Sequence, residues 1–126
     1  MTHKKLVVRV TRSMGRGVFA TKKIKKGTVI HQAYFIKAKD EEVSLCPDVD
    51  RYTFIYNKKY SALCLGIGSL INHSDEPNAE ICFTRLNGIE IMEFSTIKKI
   101  LPGEQVFINY GGNEYAYRHM VKKEKL

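Results

Sequence analysis

The 126-residue sequence has few of the features that commonly hold small domains together. It contains three cysteines, Cys46, Cys64 and Cys82, and no C-x-x-C pair. The odd count and the wide spacing argue against a disulfide framework and against a four-ligand zinc site. We therefore predict that no metal is bound and interpret the cysteines as small, buried, apolar side chains in a reducing compartment.

Long apolar runs are also missing, so the sequence predicts no membrane-spanning helix and no membrane partner. Only a short apolar run follows Lys4 and Lys5, which does not fit a signal peptide. Without secretion, the glycosylation sequon at Asn72 has no expected role. Internal repeats, low-complexity tracts and linkers are absent, so we predict one domain over residues 1–126.

The sequence is 44% hydrophobic and 27% charged, an ordinary globular composition, and its formal net charge of +8 favours anionic partners. Basic residues are spread along the chain, with small clusters at residues 22–26 and 122–125. This distribution indicates a general positive field more than a defined nucleic-acid groove. The first cluster is typical of a solvated hairpin turn.

Short β-rich runs dominate the sequence, so we predict a mainly β fold. The clearest element is a hairpin in which Asn87 and Gly88 connect runs at 79–86 and 89–94, because Asn-Gly favours a type I′ turn. Glycine-containing turns precede a run at 28–36 and a final strand at 105–110. Helical signals are weak, with one or two turns predicted within 48–59 and a short terminal helix at 113–123.

Three segments carry unusual residues, and each has an ordinary structural interpretation. Gly15-Arg16-Gly17 could be a tight turn into a strand. An apolar strand predicted at 66–71 leads into Asn72-His73-Ser74, where Asn72 could cap a turn and His73 could be a hydrogen-bonded structural residue. Tyr110, at the end of the last apolar run, could be a half-buried aromatic side chain.

Taken together and in this order, the segments resemble the SET domain, the catalytic domain of a large group of protein-lysine methyltransferases. The resemblance rests on G-R-G-V-F-A, a K-K-G spacer, N-H-S-x-x-P-N-A and G-E-x-x-x-x-N-Y-G, and it spans nearly the whole chain. The short length and the lack of cysteine-rich flanks look most like the minimal SET proteins of large DNA viruses and some bacteria. Such members imply an intracellular enzyme, in the host nucleus if viral and in the cytoplasm if bacterial.

The resemblance implies small twisted β-sheets, in a β-clip-like arrangement, with a C-terminal pseudoknot, short helical segments and no pre-SET or zinc-binding post-SET region. It also implies S-adenosylmethionine as the cofactor and a protein lysine, most typically on a histone tail, as the methyl acceptor. The residues that match the family's motifs divide into a catalytic one, Tyr110, and a cofactor-binding set: Met14, Gly15, Arg16, Asn72, His73 and Tyr110.

The resemblance further places Tyr52, Ile108 and Tyr115 around the channel for the substrate lysine. Ile108 stands two residues before Tyr110, where a bulky tyrosine restricts some relatives to monomethylation, so we predict di- or trimethyl-lysine as the product. Ser69-Leu70-Ile71 replaces an arginine-phenylalanine pair found in many members.

Channel closure and partners follow from the same comparison. The zinc tail that closes the channel elsewhere is absent here, so either residues 115–117 or a second subunit of a homodimer would close it. The net charge suggests contact with nucleosomal DNA. The acidic side chains of residues 40–42, 48 and 50 are candidates for a peptide groove, and a solvated loop is the interpretation that we prefer for them. The alternative is a catalytically degenerate SET domain that acts as a basic protein- or nucleic-acid-binding module.

Overall fold

In the computed structural model, which describes residues 5–109, ten short strands and two single-turn helices surround one apolar core. The strands are β1 Leu6–Val10, β2 Arg16–Ala20, β3 Val29–Ala33, β4 Phe35–Lys39, β5 Thr53–Ile55, β6 Tyr60–Cys64, β7 Asn72–His73, β8 Ala79–Leu86, β9 Ile89–Thr96 and β10 Phe107–Ile108. The helices are α1 Asp40–Val43 and α2 Pro47–Asp50, and a 3-10 helix spans Ile67–Leu70. Within residues 5–109, no helix is long and apolar enough to cross a membrane.

The strands form four small sheets, which confirms the predicted mainly β fold of small sheets. The first pairs β1 with β2, the second has the order β3-β9-β8, and the third has the order β4-β6-β5. The fourth joins β7 to β10, and this pair is parallel while the other strand pairs are antiparallel. Strands far apart in sequence therefore meet in β7 and β10.

The predicted hairpin is confirmed in detail. Strands β8 and β9 pair over eight residues each, from Ala79 opposite Thr96 to Leu86 opposite Ile89. Asn87 has φ +52° and Gly88 has φ +80°, the two positive values that a type I′ turn requires. The register observed is the one that a two-residue turn at Asn87 and Gly88 predicts.

Several predicted elements were wrong in extent. The run at 28–36 is two strands, because the chain leaves the β9 sheet after Ala33 and joins β6 from Phe35 onward. One or two helical turns were predicted within residues 48–59, and one is found, at residues 47–50. Helix α1 was not predicted. Of the predicted strand at 105–110, the described part up to residue 109 forms only β10, and Gln105 instead forms a bridge with Phe19 of β2; position 110 lies outside the described residues.

Two further expectations need correction. Residues 67–70 form a 3-10 helix and not an apolar strand, because Gly66 and Gly68 let this segment lie directly on the rings of His31 and Phe94. Cys46 is exposed and Cys82 is partly buried, so only Cys64 fits the interpretation of a buried cysteine. The terminal helix predicted at 113–123 lies outside the described residues.

The apolar core lies directly beneath the crossing of β7 and β10. Its largest fully buried side chains are Phe94, Ile71, Met92, Ile100, Ile108, Val18 and Val106. Ile71 immediately precedes β7, and Ile108 belongs to β10, so the two strands are anchored from below by neighbouring parts of one core. Burying side chains of this size contributes about 1.5–3 kcal/mol each, which holds the crossing in place.

Candidate active site

Three segments distant in sequence meet at the side chain of Asn72. Its amide nitrogen donates to the backbone carbonyl of Arg16 at 3.0 Å and to Oε1 of Gln105 at 2.8 Å. The start of β2, strand β7 and the approach to β10 are thereby joined by one amide group. Asn72 therefore links three segments of the chain. Its sequence context alone was also compatible with a simple turn cap.

The backbone at Gly17 is packed too closely against this link to carry a side chain. A Cβ atom at Gly17 would lie 2.5 Å from Oε1 of Gln105 and 3.0 Å from Nδ2 of Asn72. Real Cβ contacts are longer than this, so a side chain at position 17 would displace the Gln105 amide from its contact with Asn72. The second glycine of the G-x-G motif thus has a packing role.

The turn before β2 presents an open backbone surface. Thr11 closes the turn, since its N–H donates to the Gly15 carbonyl at 2.5 Å and its hydroxyl accepts from the N–H of Met14 at 2.8 Å. Gly15 has φ +71°, and a Cβ added there would meet nothing within 4 Å. Met14, Gly15 and Arg16 are exposed beside Asn72, as expected for residues that contact a cofactor through their backbone.

The β7–β10 pair is reinforced by Asn78. The Asn78 side chain accepts from the N–H of Phe107 at 2.8 Å and donates to the Gln105 carbonyl at 2.9 Å, in the manner of a neighbouring strand. The backbone N–H of Ser74 donates to the Ile108 carbonyl at 2.9 Å. Because both sides of β10 are held, the chain reaches Asn109 along a fixed path.

His73 and Ile108 differ in exposure although they are paired in register. His73 is exposed, and its Nε2 lies 3.0 Å from Oδ1 of Asp75, whereas Ile108 is 1% exposed. Oδ1 of Asn109 is buried and accepts no hydrogen bond from residues 5–109. A buried acceptor in this position is suited to a donor supplied by a bound molecule.

Tyr52 is not brought together with this crossing. It lies between α2 and β5, beside the three-stranded sheet β4-β6-β5, and is 36% exposed. Its neighbours along the chain include the exposed acidic residues of α1 and α2. Tyr110 and Tyr115, predicted for the chemistry and the channel, lie outside the described residues.

Gln105 and Asn78 were missed as individual site residues by the sequence analysis. Asn78 had a signal, because it belongs to the N-H-S-x-x-P-N-A motif in which only the first residues were assigned a role. Gln105 had none, since a glutamine at the start of a short strand is unremarkable. Its importance comes from contact with Asn72 and Gly17, which depends on the whole fold.

Metal and thiol chemistry find little support in the part of the chain that is described. Among residues 5–109, no group of three His, Cys, Asp or Glu side chains is placed to hold a metal ion. Burial raises the pKa of the Cys64 thiol from 9.0 to about 11, which backbone hydrogen bonds from Ser69 and Gly68 only partly offset. This thiol therefore stays protonated at neutral pH and is a poor nucleophile.

The residues at the crossing fit S-adenosylmethionine, a molecule with a polar amino-acid end, ribose hydroxyls and an adenine. Gly15 precedes Arg16, His73 follows Asn72, and Asn109, whose Oδ1 has no hydrogen-bond donor among residues 5–109, lies four residues after Gln105. Each is therefore close in sequence to one member of the Asn72 link. Polar backbone groups next to an apolar floor are typical of small-molecule sites. The donor and acceptor types present match the cofactor that the motif resemblance implies.

Comparison with known proteins agrees with this geometry. The sequence profile of the SET domain matches residues 15–111. The chain is 30% identical over 109 residues to a histone-lysine N-methyltransferase of Schizosaccharomyces pombe named as specific for H3 lysine 37, and the alignment covers 84% of this chain and 73% of that protein.

Solved structures give the same result. A crystal structure of a Plasmodium falciparum protein proposed to be a histone methyltransferase matches with a TM-score of 0.72 and 28% identity, covering 90% of this chain and 99% of that one. An inhibitor-bound Polycomb Repressive Complex 2 from Chaetomium thermophilum matches with a TM-score of 0.71 at 21% identity, covering 90% of this chain and 16% of that chain. An autoinhibited form with bound S-adenosylmethionine has a TM-score of 0.70 at 21% identity, covering 98% and 17%. At that identity the last two show the fold alone.

Proposed function

The chain belongs to the SET-domain family, and from that membership we propose that it transfers methyl groups from S-adenosylmethionine to the ε-amine of a protein lysine, with a histone tail as the substrate. The observation that carries the proposal is the three-way junction at Asn72. It joins the G-x-G turn, the N-H-S segment and the approach to position 110, the same three segments on which the family resemblance rests.

The residues of this chain have separate roles in the proposed reaction. S-adenosylmethionine supplies an electrophilic methyl group on a sulfonium centre. Met14, Gly15, Arg16, Asn72 and His73 hold it, and Tyr110 orients the acceptor and stabilises charge in the reaction. The hydrogen bond from Asn72 to Arg16 supports the role of the cofactor-binding residues. Tyr110 follows the end of β10 by two residues in the sequence.

The acceptor lysine must be neutral before it can attack. Its unperturbed pKa is about 10.4, and an apolar channel favours the neutral form by removing water from the ammonium. The motif position of Ile108 assigns it to the wall of this channel, although its side chain is packed in the core beneath the crossing and is 1% exposed. Because Ile108 carries no hydroxyl and is smaller than tyrosine, we propose that the product is di- or trimethyl-lysine.

A basic histone tail also needs an acidic surface on this basic protein. The two single-turn helices offer exposed carboxylates: Asp40, Glu41, Glu42, Asp48 and Asp50. Lys39, Lys58 and Lys59 line one pocket with Asp40 and Glu41, so this part of the surface carries charges of both signs. Tyr52 lies just beyond α2 and adds an aromatic face to the same surface. We take this surface as the peptide-docking side of the enzyme, in support of a histone substrate.

The function is tested by calorimetric titration with S-adenosylmethionine and by methyl transfer to an array of histone-tail peptides that includes H3 lysine 37. Mass spectrometry with excess cofactor and enzyme reads the product state, and product that stalls at monomethyl-lysine would contradict the role given to Ile108. Tyr110→Phe should reduce turnover at least about 100-fold. Full turnover in Tyr110→Phe would remove that residue from the mechanism.

A catalytically degenerate SET domain is the second candidate, favoured by the net charge of +8. In that case the chain would bind an anionic partner without methyl transfer. The calorimetric titration separates the two, because a degenerate domain has no requirement to bind the cofactor. Absence of cofactor binding together with binding to DNA would favour this second candidate.

A homodimer in an intracellular compartment is part of the same proposal. Its support is an apolar groove of about 650 Å³ that includes the exposed side chains of Val29, Tyr34, Leu65 and Leu86. Exposed apolar surface of this kind is common at contacts between subunits. Light scattering on the purified chain tests it, and a monomeric mass across the micromolar range would exclude the dimer.

A further inference from the structure

The fold brings two lysine-rich segments together on one face. Residues Ile24 and Ile100 form an antiparallel bridge, with N–H to carbonyl distances of 2.8 Å and 2.9 Å in the two directions. Six exposed lysines flank this bridge, and we call them the lysine face: Lys22, Lys23, Lys25, Lys26, Lys98 and Lys99. In the sequence only the first four form a cluster, which is why it resembled an ordinary solvated turn.

The backbone under the lysine face is held firmly. Ile24 is 2% exposed and Ile100 is fully buried, so the bridge is anchored in the core. The hydroxyls of Thr28 and Thr96 both donate to the Lys25 carbonyl, at 2.6 Å and 2.7 Å. A loop fixed in this way presents its charges without first having to be ordered, which lowers the entropic cost of binding a partner.

No ion pair within residues 5–109 neutralises the lysine face. Residues 21–28 and 96–103 contain no Asp or Glu, and the carboxylate of the next residue, Glu104, accepts a hydrogen bond from the backbone N–H of Leu101. Of the ion pairs recorded within residues 5–109, one joins Arg51 to Asp48 and the other joins His73 to Asp75, and neither involves a lysine. Six like charges gathered on one face repel one another, and a polyanion would relieve that repulsion.

We propose that the lysine face binds the phosphate backbone of duplex DNA. Lysine ammonium groups are compact, flexible charges that contact phosphates without reading base sequence. The two segments contain no aromatic residue, so they lack the stacking platforms on which single-stranded nucleic acid is held. A duplex, with one charge per about 1.7 Å of its axis, is a suitable partner for such a cluster.

The position of the lysine face leaves the active site open. Strand β2 begins at Arg16 beside Asn72 and ends at Ala20, where the lysine-rich loop follows. A five-residue strand spans about 13 Å at 3.3 Å per step, so DNA on this face would lie roughly one strand length from the cofactor residues. DNA binding by the lysine face does not depend on methyl transfer. It is linked to the proposed function because a histone substrate would be held next to the bound DNA.

The test compares two variants that each lose four positive charges. One replaces Lys22, Lys23, Lys98 and Lys99 on the lysine face by Gln; the matched control replaces Lys37, Lys39, Lys58 and Lys59, exposed lysines near the end of the β4-β6-β5 sheet, by Gln. Fluorescence anisotropy with a labelled 30-base-pair duplex is recorded at several NaCl concentrations. Thermal melts check that both variants fold.

We expect the lysine-face variant to bind duplex at least about 30-fold more weakly at 100 mM NaCl, with the slope of log K against log [NaCl] reduced by about 3 to 4. The control should lose less than about threefold. Equal loss in both variants would mean a general positive field and would overturn the proposal. Binding to phosphatidylserine vesicles but not to DNA would overturn it as well.

Methyl transfer to a free histone peptide is measured on the same proteins. Activity on peptide with no DNA binding by the wild-type chain would leave the proposed function standing and refute the lysine face. No activity on any peptide, with DNA binding lost only in the lysine-face variant, would support the lysine face and refute the proposed function.

Discussion

At the scale of single residues, the candidate site depends on an amide group more than on any charged side chain. Asn72 makes two hydrogen bonds to segments on either side of it, and Gly17 allows that contact by having no Cβ. Losing one partner of such a pair leaves the other polar group unsatisfied, which costs about 1–3 kcal/mol for a buried group. The link is therefore a sensitive point for both stability and cofactor binding.

We predict that Asn72→Ala weakens S-adenosylmethionine binding at least about 10-fold and lowers the free energy of unfolding by about 1–2 kcal/mol. Calorimetry and urea unfolding measure the two effects. Asn57→Ala is the matched control, because Asn57 accepts hydrogen bonds from the backbone of Lys59 and Tyr60 in the turn between β5 and β6. It should cost stability without changing cofactor affinity, and equal affinity in both variants would contradict the role of Asn72.

At the scale of secondary-structure elements, the β8–β9 hairpin is the part that sequence predicts best. Strand β8 alternates in burial over its first six residues, and the turn residues have the required positive φ values, so these signals are local. The run at 28–36 fails for the opposite reason. Whether a β-rich run stays in one sheet or passes to another depends on strands β6 and β9, which lie elsewhere in the chain.

We predict that Gly88→Ala lowers the free energy of unfolding by about 1–2 kcal/mol, because a Cβ is unfavourable at φ +80°. Space is not the cause, since a Cβ at Gly88 would meet nothing within 4 Å. Asn87→Gly, which keeps a residue tolerant of positive φ, should change stability by less than about 0.5 kcal/mol. Urea unfolding curves compare the two, and a smaller loss for Gly88→Ala than for Asn87→Gly would refute the turn assignment.

At the scale of the whole molecule, charge is unevenly distributed. The acidic residues of α1 and α2 occupy one region, and the lysine face occupies another at the far end of β2. Uncompensated positive charge destabilises a folded chain through self-repulsion, and dissolved salt screens it with a Debye length of about 8 Å at 0.15 M. Folded stability should therefore respond to ionic strength.

We predict that raising NaCl from 20 mM to 300 mM increases the melting temperature by a few degrees, on the order of 1 kcal/mol of stability. The variant with Gln at Lys22, Lys23, Lys98 and Lys99 should show a smaller increase. The matched variant at Lys37, Lys39, Lys58 and Lys59 serves as the comparison. A melting temperature that falls with salt in the wild-type chain would show that attractive ion pairs outweigh the repulsion.

The crossing itself could not be derived from local sequence rules. The resemblance to the SET domain implied a C-terminal pseudoknot, and the parallel pairing of β7 with β10 brings the N-H-S segment against residues 107–108 near the C-terminal part of the chain. Strand propensity at 105–110 predicted a strand without a partner. Asn72, Asn78 and Phe19 all contact Gln105 at the start of this segment. They are distant in sequence, so these contacts form only when the chain has folded.

The bridge between Phe19 and Gln105 has a consequence for the order of folding. It closes a loop of 86 steps along the chain (105 − 19), at an entropic cost that grows as (3/2)RT ln n and reaches about 4 kcal/mol here, before any constant term. The β8–β9 hairpin closes over a two-residue turn and has no such cost. We expect the hairpin to form early and the Asn72 junction to form near the end of folding, so that competence to bind the cofactor is the last property the chain acquires.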